Sequence, residues 1–309
     1  MKKLVLALLG TALLIAAAVV YTLSARHDTA DAEPAAQLTL SPGQLFFRDT
    51  ATGRVGTLSQ EKRLLSGLKC DRFAVAKQTA VCLAVRPGTL PALTDVLVLD
   101  DHLAVRHTES LPGTPSRARV SPDGKRVDWT LFVTGDSYAQ TGFSTRAGLY
   151  EVDTGRLVKT IEELPVFAGD QRYFAADVNY WGITFAPDGN RFYATLGSKG
   201  KTYLVEADYR RYRGKTVREN VECPSLSPDA TRIAFKKKVG QGWRLSVLDL
   251  KTMQETELAD QRSVDDQALW QDDHTVLYGL DNAVWAVPAD GSGAPRKLVD
   301  NAASPAVTG

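Results

Sequence analysis

Ser121-Pro-Asp-Gly-Lys-Arg-Val127 is a turn sequence that leads into a strand, and the chain repeats it twice with changes. The copies are Ala186-Pro-Asp-Gly-Asn-Arg-Phe192 and Ser227-Pro-Asp-Ala-Thr-Arg-Ile233, and a weaker echo begins at Trp270. Proline presets the first corner of such a turn, aspartate bonds nearby backbone N–H groups, and glycine accepts a positive φ. A turn and strand that recur about every forty residues predict a β-propeller. The turn residues that carry the pattern are Pro122, Asp123 and Gly124, Pro187, Asp188 and Gly189, and Pro228 and Asp229.

The segments between these turns supply four strands for each repeat. We therefore expect an all-β fold, a six-bladed β-propeller of four-stranded antiparallel blades. Five blades can be followed along residues 72–299. The sixth has three candidate strands, at residues 38–40, 45–47 and 55–58, and the C-terminal residues 302–307 can supply its missing inner strand. Strands from both termini then close the ring and remove the exposed edge that an open array would leave.

One copy of the turn departs from the pattern, because Ala230 stands where the other two copies have glycine. A non-glycine residue that is forced to a positive φ costs about 1 kcal/mol. The repeat therefore predicts a small, local loss of stability at Ala230.

Residues 1–36 precede the predicted propeller, which covers residues 37–309. Lys2 and Lys3 are followed by an apolar run over residues 4–23 and a polar stretch that ends at Ala36. This order is typical of an export signal peptide, and a run of about 20 residues also fits an uncleaved membrane anchor. Both alternatives place the propeller outside the cytoplasm, either secreted or on the outer face of the cytoplasmic membrane. An uncleaved segment would also tether the protein to that membrane.

The chain has three cysteines, Cys70, Cys82 and Cys223. Cys70 and Cys82 flank a predicted tight hairpin, where facing cysteines can reach disulfide geometry, and export permits such a bond. We expect a Cys70–Cys82 disulfide, with two buried thiols as the alternative. Cys223 is left over and is expected to be buried.

The repeated Ser-Pro-Asp-Gly-x-Arg sequence, together with predicted third strands that end in aspartate, as at Asp153 and Asp249, resembles the WD40-like repeat of TolB-type propellers. The resemblance covers residues 37–309. It implies an exported, TolB-like propeller that acts by binding other proteins. TolB carries an α/β domain ahead of its propeller, and residues 1–36 are too few for one, so we expect the type that lacks this domain.

Overall charge and motifs exclude several functions. The 37 basic and 36 acidic residues give a net charge of +1, which provides no general attraction to nucleic acid. The four histidines do not form a cluster with zinc spacing, and no nucleotide-binding fingerprint occurs. We expect no metal, no cofactor and a monomeric protein.

Two stretches are candidate binding sites. Residues 168–180 form a long predicted insert that runs into an inner strand, so they should line one mouth of the central channel. The candidates there are Arg172, Tyr173, Phe174, Asn179, Tyr180 and Trp181. A basic patch of Arg210, Arg211, Arg213 and Lys215 lies at the edge of a predicted blade. It either binds an anionic polymer or lipid headgroup, or is a solvated edge.

The sequence favours an exported, non-enzymatic scaffold that binds a protein or another cell-envelope component. The alternative is a propeller enzyme, a hydrolase or lyase acting on a sugar or lactone, with carboxylates or a bound metal in its channel. Converging acidic or histidine side chains in the channel would favour the enzyme. Aromatic and amide side chains at its mouth would favour the scaffold.

Overall fold

The computed structural model describes residues 35–133 and 144–309. Within these ranges the chain forms only strands, turns and loops, and the strands make six sheets around a common axis. The predicted all-β, six-bladed propeller is therefore confirmed. No helix in the described part of the chain is long and apolar enough to cross a membrane. The predicted export segment lies outside the described residues, apart from residues 35 and 36.

Blades 1 to 3 are regular sheets of four antiparallel strands that follow one another from the channel outward. Blade 1 consists of β26 (Ala302–Val307), β1 (Leu45–Asp49), β2 (Arg54–Ser59) and β3 (Lys62–Lys69). Blade 2 consists of β4 (Arg72–Ala76), β5 (Thr79–Val85), β6 (Leu93–Leu99) and β7 (Val105–Pro112). Blade 3 consists of β8 (Thr114–Val120), β9 (Arg126–Val133), β10 (Ser144–Glu151) and β11 (Leu157–Val158).

Blades 4 to 6 complete the ring. Blade 4 consists of β14 (Asn179–Phe185), β15 (Arg191–Ser198), β16 (Lys201–Asp208) and β17 (Arg213–Glu219), with two additional short strands, β12 (Val166–Ala168) and β13 (Gln171–Arg172). Blade 5 consists of β18 (Glu222–Leu226), β19 (Arg232–Val239), β20 (Gly242–Asp249) and β21 (Glu255–Glu257). Blade 6 consists of β22 (Leu269–Trp270), β23 (Thr275–Leu280), β24 (Ala283–Pro288) and β25 (Arg296–Asp300).

A strand from each terminus closes the ring, as predicted. Strand β26 is the inner strand of blade 1 and pairs with β1 from Leu45↔Val307 to Asp49↔Ala302. The other strands of this blade differ from the prediction, because residues 38–40 form no strand and β3 is the outer strand. Leu38 and Leu40 are instead buried beside the ring, where the backbone N–H of Leu40 donates to Asp101 O at 2.8 Å.

Blade 4 is the exception to the predicted four-stranded blades. Residues 168–180, which the sequence predicts as a loop at the channel mouth, begin at the outer edge of the sheet. There β12 pairs in parallel with the outer strand β17, and β13 pairs with β12. Residues 173–178 then cross from this outer edge to the start of the inner strand β14. The insert therefore reaches the channel only at its C-terminal end.

The core lies between neighbouring blades, since each middle strand is covered by a blade on both faces. Strand β9, for example, contributes Val127, Trp129 and Leu131 to a cluster with β5 and β6 of blade 2. A second cluster joins blades 3 and 4 around Tyr180 and Leu196. Double-sided coverage explains why the middle strands are almost continuously apolar.

The repeated turns have the geometry that their sequence predicts. In the first copy, the backbone N–H of Gly124 donates to Ser121 O at 2.8 Å. The backbone N–H of Lys125 donates to the carboxylate of Asp123 at 3.0 Å. Gly124 and Gly189 have φ values of +75° and +65°, and Ala230 has a φ of +57° at the matching position. All three turns join an inner strand to its neighbour, so they share one side of the ring, which we call the turn face. The hairpins between second and third strands define the opposite side, which we call the hairpin face.

Both ends of the propeller lie on the turn face. The backbone N–H of Gly43 donates to Thr308 O at 2.7 Å, beside the point where β26 ends and β1 begins. Leu40 is bonded to Asp101 in the turn between β6 and β7, which is on the same face. The chain thus enters and leaves the ring on one side.

The Cys70–Cys82 disulfide is present, with a Cα–Cα distance of 5.4 Å. Its placement differs in one respect from the expectation. Cys82 faces Phe73 across the hairpin, and Cys70 lies in the connection between β3 and β4. The bond therefore ties the passage from blade 1 to blade 2 against the second strand of blade 2. Cys223 is a buried free thiol, as expected.

Ala230→Gly should raise the free energy of unfolding by about 1 kcal/mol, because glycine relieves the cost of a positive φ. Urea unfolding measures the change. Gly189→Ala is the matched control and should lower stability by a similar amount, since a Cβ there meets no atom closer than 3.7 Å and only backbone strain is added. Two unchanged midpoints would contradict the assignment of strain to these turns.

Replacing Cys70 and Cys82 together with alanine should lower the free energy of unfolding by about 3 kcal/mol. The bond closes a loop with a sequence separation of 12 residues and so restricts the unfolded chain. A reductant should bring the wild-type protein to the stability of the double variant and leave the variant unaffected. Wild-type stability that does not respond to the reductant would argue against the bond.

Candidate functional site

A cavity of about 610 Å³ opens on the hairpin face at the mouth of the central channel. This channel-mouth cavity is formed where the inner strands of blades 2 to 5 begin and where the hairpins of blades 3 to 5 end. Its aromatic and amide members are Phe132, Asn179, Trp181 and Trp243, and its charged members are Arg72, Arg117, Asp177, Lys199, Lys201, Glu222, Lys236 and Asp265. Among the described residues, five cations and three anions therefore line it.

Trp181 occupies its position because Gly197 on the neighbouring strand, which pairs with Asn179, has no side chain. A Cβ placed on Gly197 would lie 2.5 Å from the Trp181 ring, so only glycine lets the indole lie against this strand. Asn179, two residues earlier, accepts a hydrogen bond from Thr145 N at 3.0 Å and donates to Asp177 O at 3.0 Å. Both side chains are therefore fixed by the ends of blades 3 and 4.

The rim above Asn179 is a network of hydrogen bonds centred on Asp177. Its carboxylate accepts bonds from the Ser198 hydroxyl and the Lys199 backbone N–H, both at 2.6 Å. The Ser198 hydroxyl bond, with that backbone bond, lowers the pKa of Asp177. Tyr173 completes the rim, because its hydroxyl lies 3.0 Å from Ser198 Oγ and Lys199 Nζ lies 5.2 Å from its ring centroid.

The opposite wall combines an indole with lysines. Lys236 and Lys238 place their Nζ atoms 4.7 Å and 3.8 Å from the centroid of the Trp243 ring. Lys236 is only 3% exposed and forms an ion pair with Asp265, which Arg117 also approaches, at 3.3 Å. Burial opposes ionisation of Asp265, but Lys236 and Arg117 outweigh it and lower the pKa of Asp265.

Below the cavity the channel narrows to a space of about 80 Å³ that Arg72, Arg117 and Arg119 line together with Asp266. Next to Arg119, Asp128 projects from the second strand of blade 3 and is completely buried. Neither of its carboxylate oxygens has a hydrogen-bond partner among residues 35–133 and 144–309. Burial therefore raises the pKa of Asp128 well above its usual value, although Arg119 acts in the opposite direction.

The predicted site residues of the insert separate into three positions. Asn179 and Trp181 line the cavity, and Tyr173 braces its rim. Tyr180 belongs to the core, because its side chain is completely buried and its hydroxyl approaches Leu164 O at 3.4 Å. Arg172 and Phe174 pair with each other at the outer edge of blade 4, with the guanidinium carbon 4.5 Å from the ring centroid. The sequence has a second long insert between predicted strands, residues 135–146, and most of it lies outside the described residues.

The predicted basic patch lies on the turn face, on the opposite side of the ring from the cavity. Local carboxylates accompany it, since Arg211 lies 3.9 Å from Asp208 and Lys215 lies 3.7 Å from Glu206. Arg213 stacks over Phe167 at 4.7 Å. Arg210 is anchored by its backbone N–H, which donates to Asn190. This arrangement favours the interpretation of a solvated edge.

Sequence reasoning missed the residues that other blades contribute to the cavity, chiefly Arg72, Arg117, Lys236, Trp243 and Asp265. They share one signal, which is a charged or aromatic residue within a few positions of the start of an inner strand or the end of a hairpin. Within the described ranges, no three His, Cys, Asp or Glu side chains are grouped closely enough to hold a metal ion.

Several solved structures are similar in fold. TolB from Acinetobacter baumannii superimposes with a TM-score of 0.59 at 16% identity, over 86% of this chain and 66% of that one. An oligogalacturonate lyase in complex with manganese gives 0.54 at 12%, over 81% and 75%. The nidogen/laminin complex gives 0.55 at 11%, over 85% and 97%. No family model matches the chain, and no curated protein matches its sequence.

Identities this low show a shared fold only. The chain spans 66% of the length of the Acinetobacter TolB structure. Because its strands form six blades on which a TolB structure superimposes, the chain has a TolB-like, six-bladed propeller fold, as the turn repeats predict.

Asp128→Asn should remove a loss of stability that the wild type shows as the pH rises. Because the folded pKa lies above the unfolded value of about 3.9, folding holds the proton more tightly, and ionisation favours unfolding. The stability that the protonated Asp128 carboxyl provides is complete below about pH 4 and is lost as the pH rises through the folded pKa. Urea unfolding across this range should show that the free energy of unfolding of the variant increases relative to that of the wild type as the pH rises. A constant difference between the two proteins would contradict a buried, protonated carboxyl.

Proposed function

We propose that this protein is an exported, non-enzymatic scaffold that binds a protein partner at its channel-mouth cavity. The observation that carries the proposal is the lining of that cavity, where two indoles, an amide and several cations stand on inner strands and on the hairpins of blades 4 and 5. Recognition surfaces are commonly built from aromatic and polar side chains that a rigid scaffold holds in place.

The two indoles are the natural anchors for a partner. Trp181 and Trp243 are only partly buried in the free protein, so each retains apolar surface that a partner can cover. Tryptophan and arginine are the residues that most often dominate the energy of protein interfaces. Val239 stands close to this wall at a hairpin tip, is 51% exposed, and can extend the contact.

A similar fold also occurs in a protein complex, since one of the superimposed structures is the nidogen/laminin complex. The predicted export segment and the disulfide support a location outside the cytoplasm, secreted or on the outer face of the membrane. A monomer suits this function, because the pairing of β26 with β1 closes the ring and removes the edge that an open array would offer for self-association.

The second candidate is an enzyme that acts on an acidic sugar. It draws support from the similarity in fold to oligogalacturonate lyase and from the cations that line the cavity. Incubation with oligogalacturonate and manganese tests it directly. Appearance of an unsaturated, ultraviolet-absorbing product would favour the lyase over the scaffold.

Trp181→Ala and Trp243→Ala should each weaken capture of the partner by about tenfold or more, the loss expected when an interface anchor is truncated. The immobilised full chain is exposed to envelope extract, and bound proteins are quantified by mass spectrometry. Arg211→Ala, on the turn face, is the matched control and should capture as the wild type does. Capture that survives both tryptophan changes, or that depends on Arg211, would place the binding surface elsewhere.

A further inference from the structure

The narrow part of the channel contains arginines whose positive charge is poorly matched. Arg72, Arg117 and Arg119 surround the space of about 80 Å³, and Arg72 and Arg117 also reach the larger cavity above it. Arg117 and Arg119 extend from blade 3 across the channel, where they approach Asp265 and Ala268 ahead of blade 6. A group that enters the narrow space from the cavity therefore passes the guanidinium groups of Arg72 and Arg117.

Hydrogen bonds to these arginines are incomplete. Arg72 donates to the Ser304 hydroxyl at 3.3 Å, and Arg119 donates to Ser225 Oγ at 3.0 Å and to Ala268 O. No carboxylate from the described parts of the chain lies within ion-pair distance of either guanidinium. The Nε atoms of Arg117 and Arg119 are buried and lack any acceptor within residues 35–133 and 144–309. A buried donor without an acceptor destabilises the protein, and an entering acceptor would recover that loss.

The nearby acids do not balance the charge. Lys236 and Arg117 share the carboxylate of Asp265, and Asp266 accepts the backbone N–H of Gly279 at 2.8 Å. Burial favours the uncharged form of Asp128, so this group compensates Arg119 poorly.

Two of the three arginines register this imbalance, whereas at Arg117 burial is outweighed by Cys223, Asp266 and Asp265, which raise its pKa. Burial lowers the pKa of Arg119 to about 10, despite attraction from Asp128 and Asp266. Burial, together with repulsion from Arg117, also lowers the pKa of Arg72. Guanidinium groups with sufficient anionic partners would hold their protons more tightly.

We propose that this space, which we call the arginine pocket, binds a carboxylate that the protein partner carries on an extended segment, as an Asp or Glu side chain or as its C-terminus. The inference rests on the proposed function, because it assigns the chemistry of the partner at the same mouth. Planar guanidinium groups bind carboxylates through paired, charge-assisted hydrogen bonds.

The size of the arginine pocket fits such a group. A cavity volume of about 10–15 Å³ holds one water molecule, so a space of about 80 Å³ has room for a carboxylate group. An extended peptide that inserts one carboxylate leaves its neighbouring residues beside Trp181 and Trp243 in the wider cavity. Asn179 also lines the wider cavity, where its amide can bond a peptide backbone.

The probes for the test are acetyl-tetraglutamate, its tetraglutamine counterpart with a C-terminal amide, and trigalacturonate. Each is titrated into the full chain in mild detergent, and tryptophan fluorescence and calorimetry report binding. Tetraglutamate should bind saturably, with an affinity that falls as salt is added, and the uncharged tetraglutamine amide should not. Equal binding of both peptides, or tighter binding of trigalacturonate, would overturn the proposal.

Two variants locate the site. Arg72→Gln and Arg119→Gln should each weaken tetraglutamate binding by about tenfold, the loss of one charge-assisted hydrogen bond, while Arg211→Gln on the turn face leaves it unchanged. Arg72→Lys keeps the charge but not the fork and should fall between the wild type and Arg72→Gln. Wild-type affinity in folded Arg72→Gln and Arg119→Gln proteins would overturn the assignment. If either variant fails to fold, the peptide comparison on wild-type protein still decides.

The outcomes for this site and for the proposed function are separable. Failure of tetraglutamate to bind, while capture depends on Trp181 and Trp243, removes the arginine pocket and leaves the scaffold. If tetraglutamate binding requires Arg72 and Arg119 but capture does not depend on either tryptophan, the arginine pocket stands and the proposed binding of the partner at the channel mouth is wrong.

Discussion

The pairing of β26 with β1 is the contact on which the rest of the structure depends. It joins the last strand of the chain to the first, so that blade 1 contains residues from both termini. Without it, blade 1 would lose its inner strand, and β1 would expose an unpaired edge. Because the ring closes, six inner strands face one axis, and side chains from blades far apart in sequence meet across a narrow channel.

That convergence gives the channel its chemistry. Inner strands are too crowded at the axis for many large side chains, and those that do enter are held from several sides. Arg119 is bonded to groups ahead of blade 6 and in blade 5, although it starts from blade 3. Trp181 depends on the absence of a side chain at Gly197. The lining of the channel therefore changes with depth, from aromatic and cationic side chains at the mouth to arginines in the narrow space below it.

The turn repeats were enough to predict the fold, because proline, aspartate and glycine act locally and mark the same point in successive blades. The prediction failed where local signals were weak, as in β3, whose exposed face carries Lys62 and Lys69, and in β12 and β13, which are two or three residues long. The placement of Tyr180 in the core could have been predicted, since side chains alternate along a strand and Asn179 and Trp181 flank it. Arg72, Lys236 and Asp265 could not be grouped beforehand, because only ring closure brings them together.

The arrangement of the chain ends also determines how the molecule can be handled. Gly43 and Thr308 are bonded to each other on the turn face, and the cavity opens on the other side. The channel-mouth cavity would therefore stay accessible to ligands when a fluorescent protein, an affinity tag or a solid support is attached next to either end of the propeller. Circular permutation should also be feasible. A short linker between these two neighbouring ends would join them, and new termini could then be opened elsewhere in the ring.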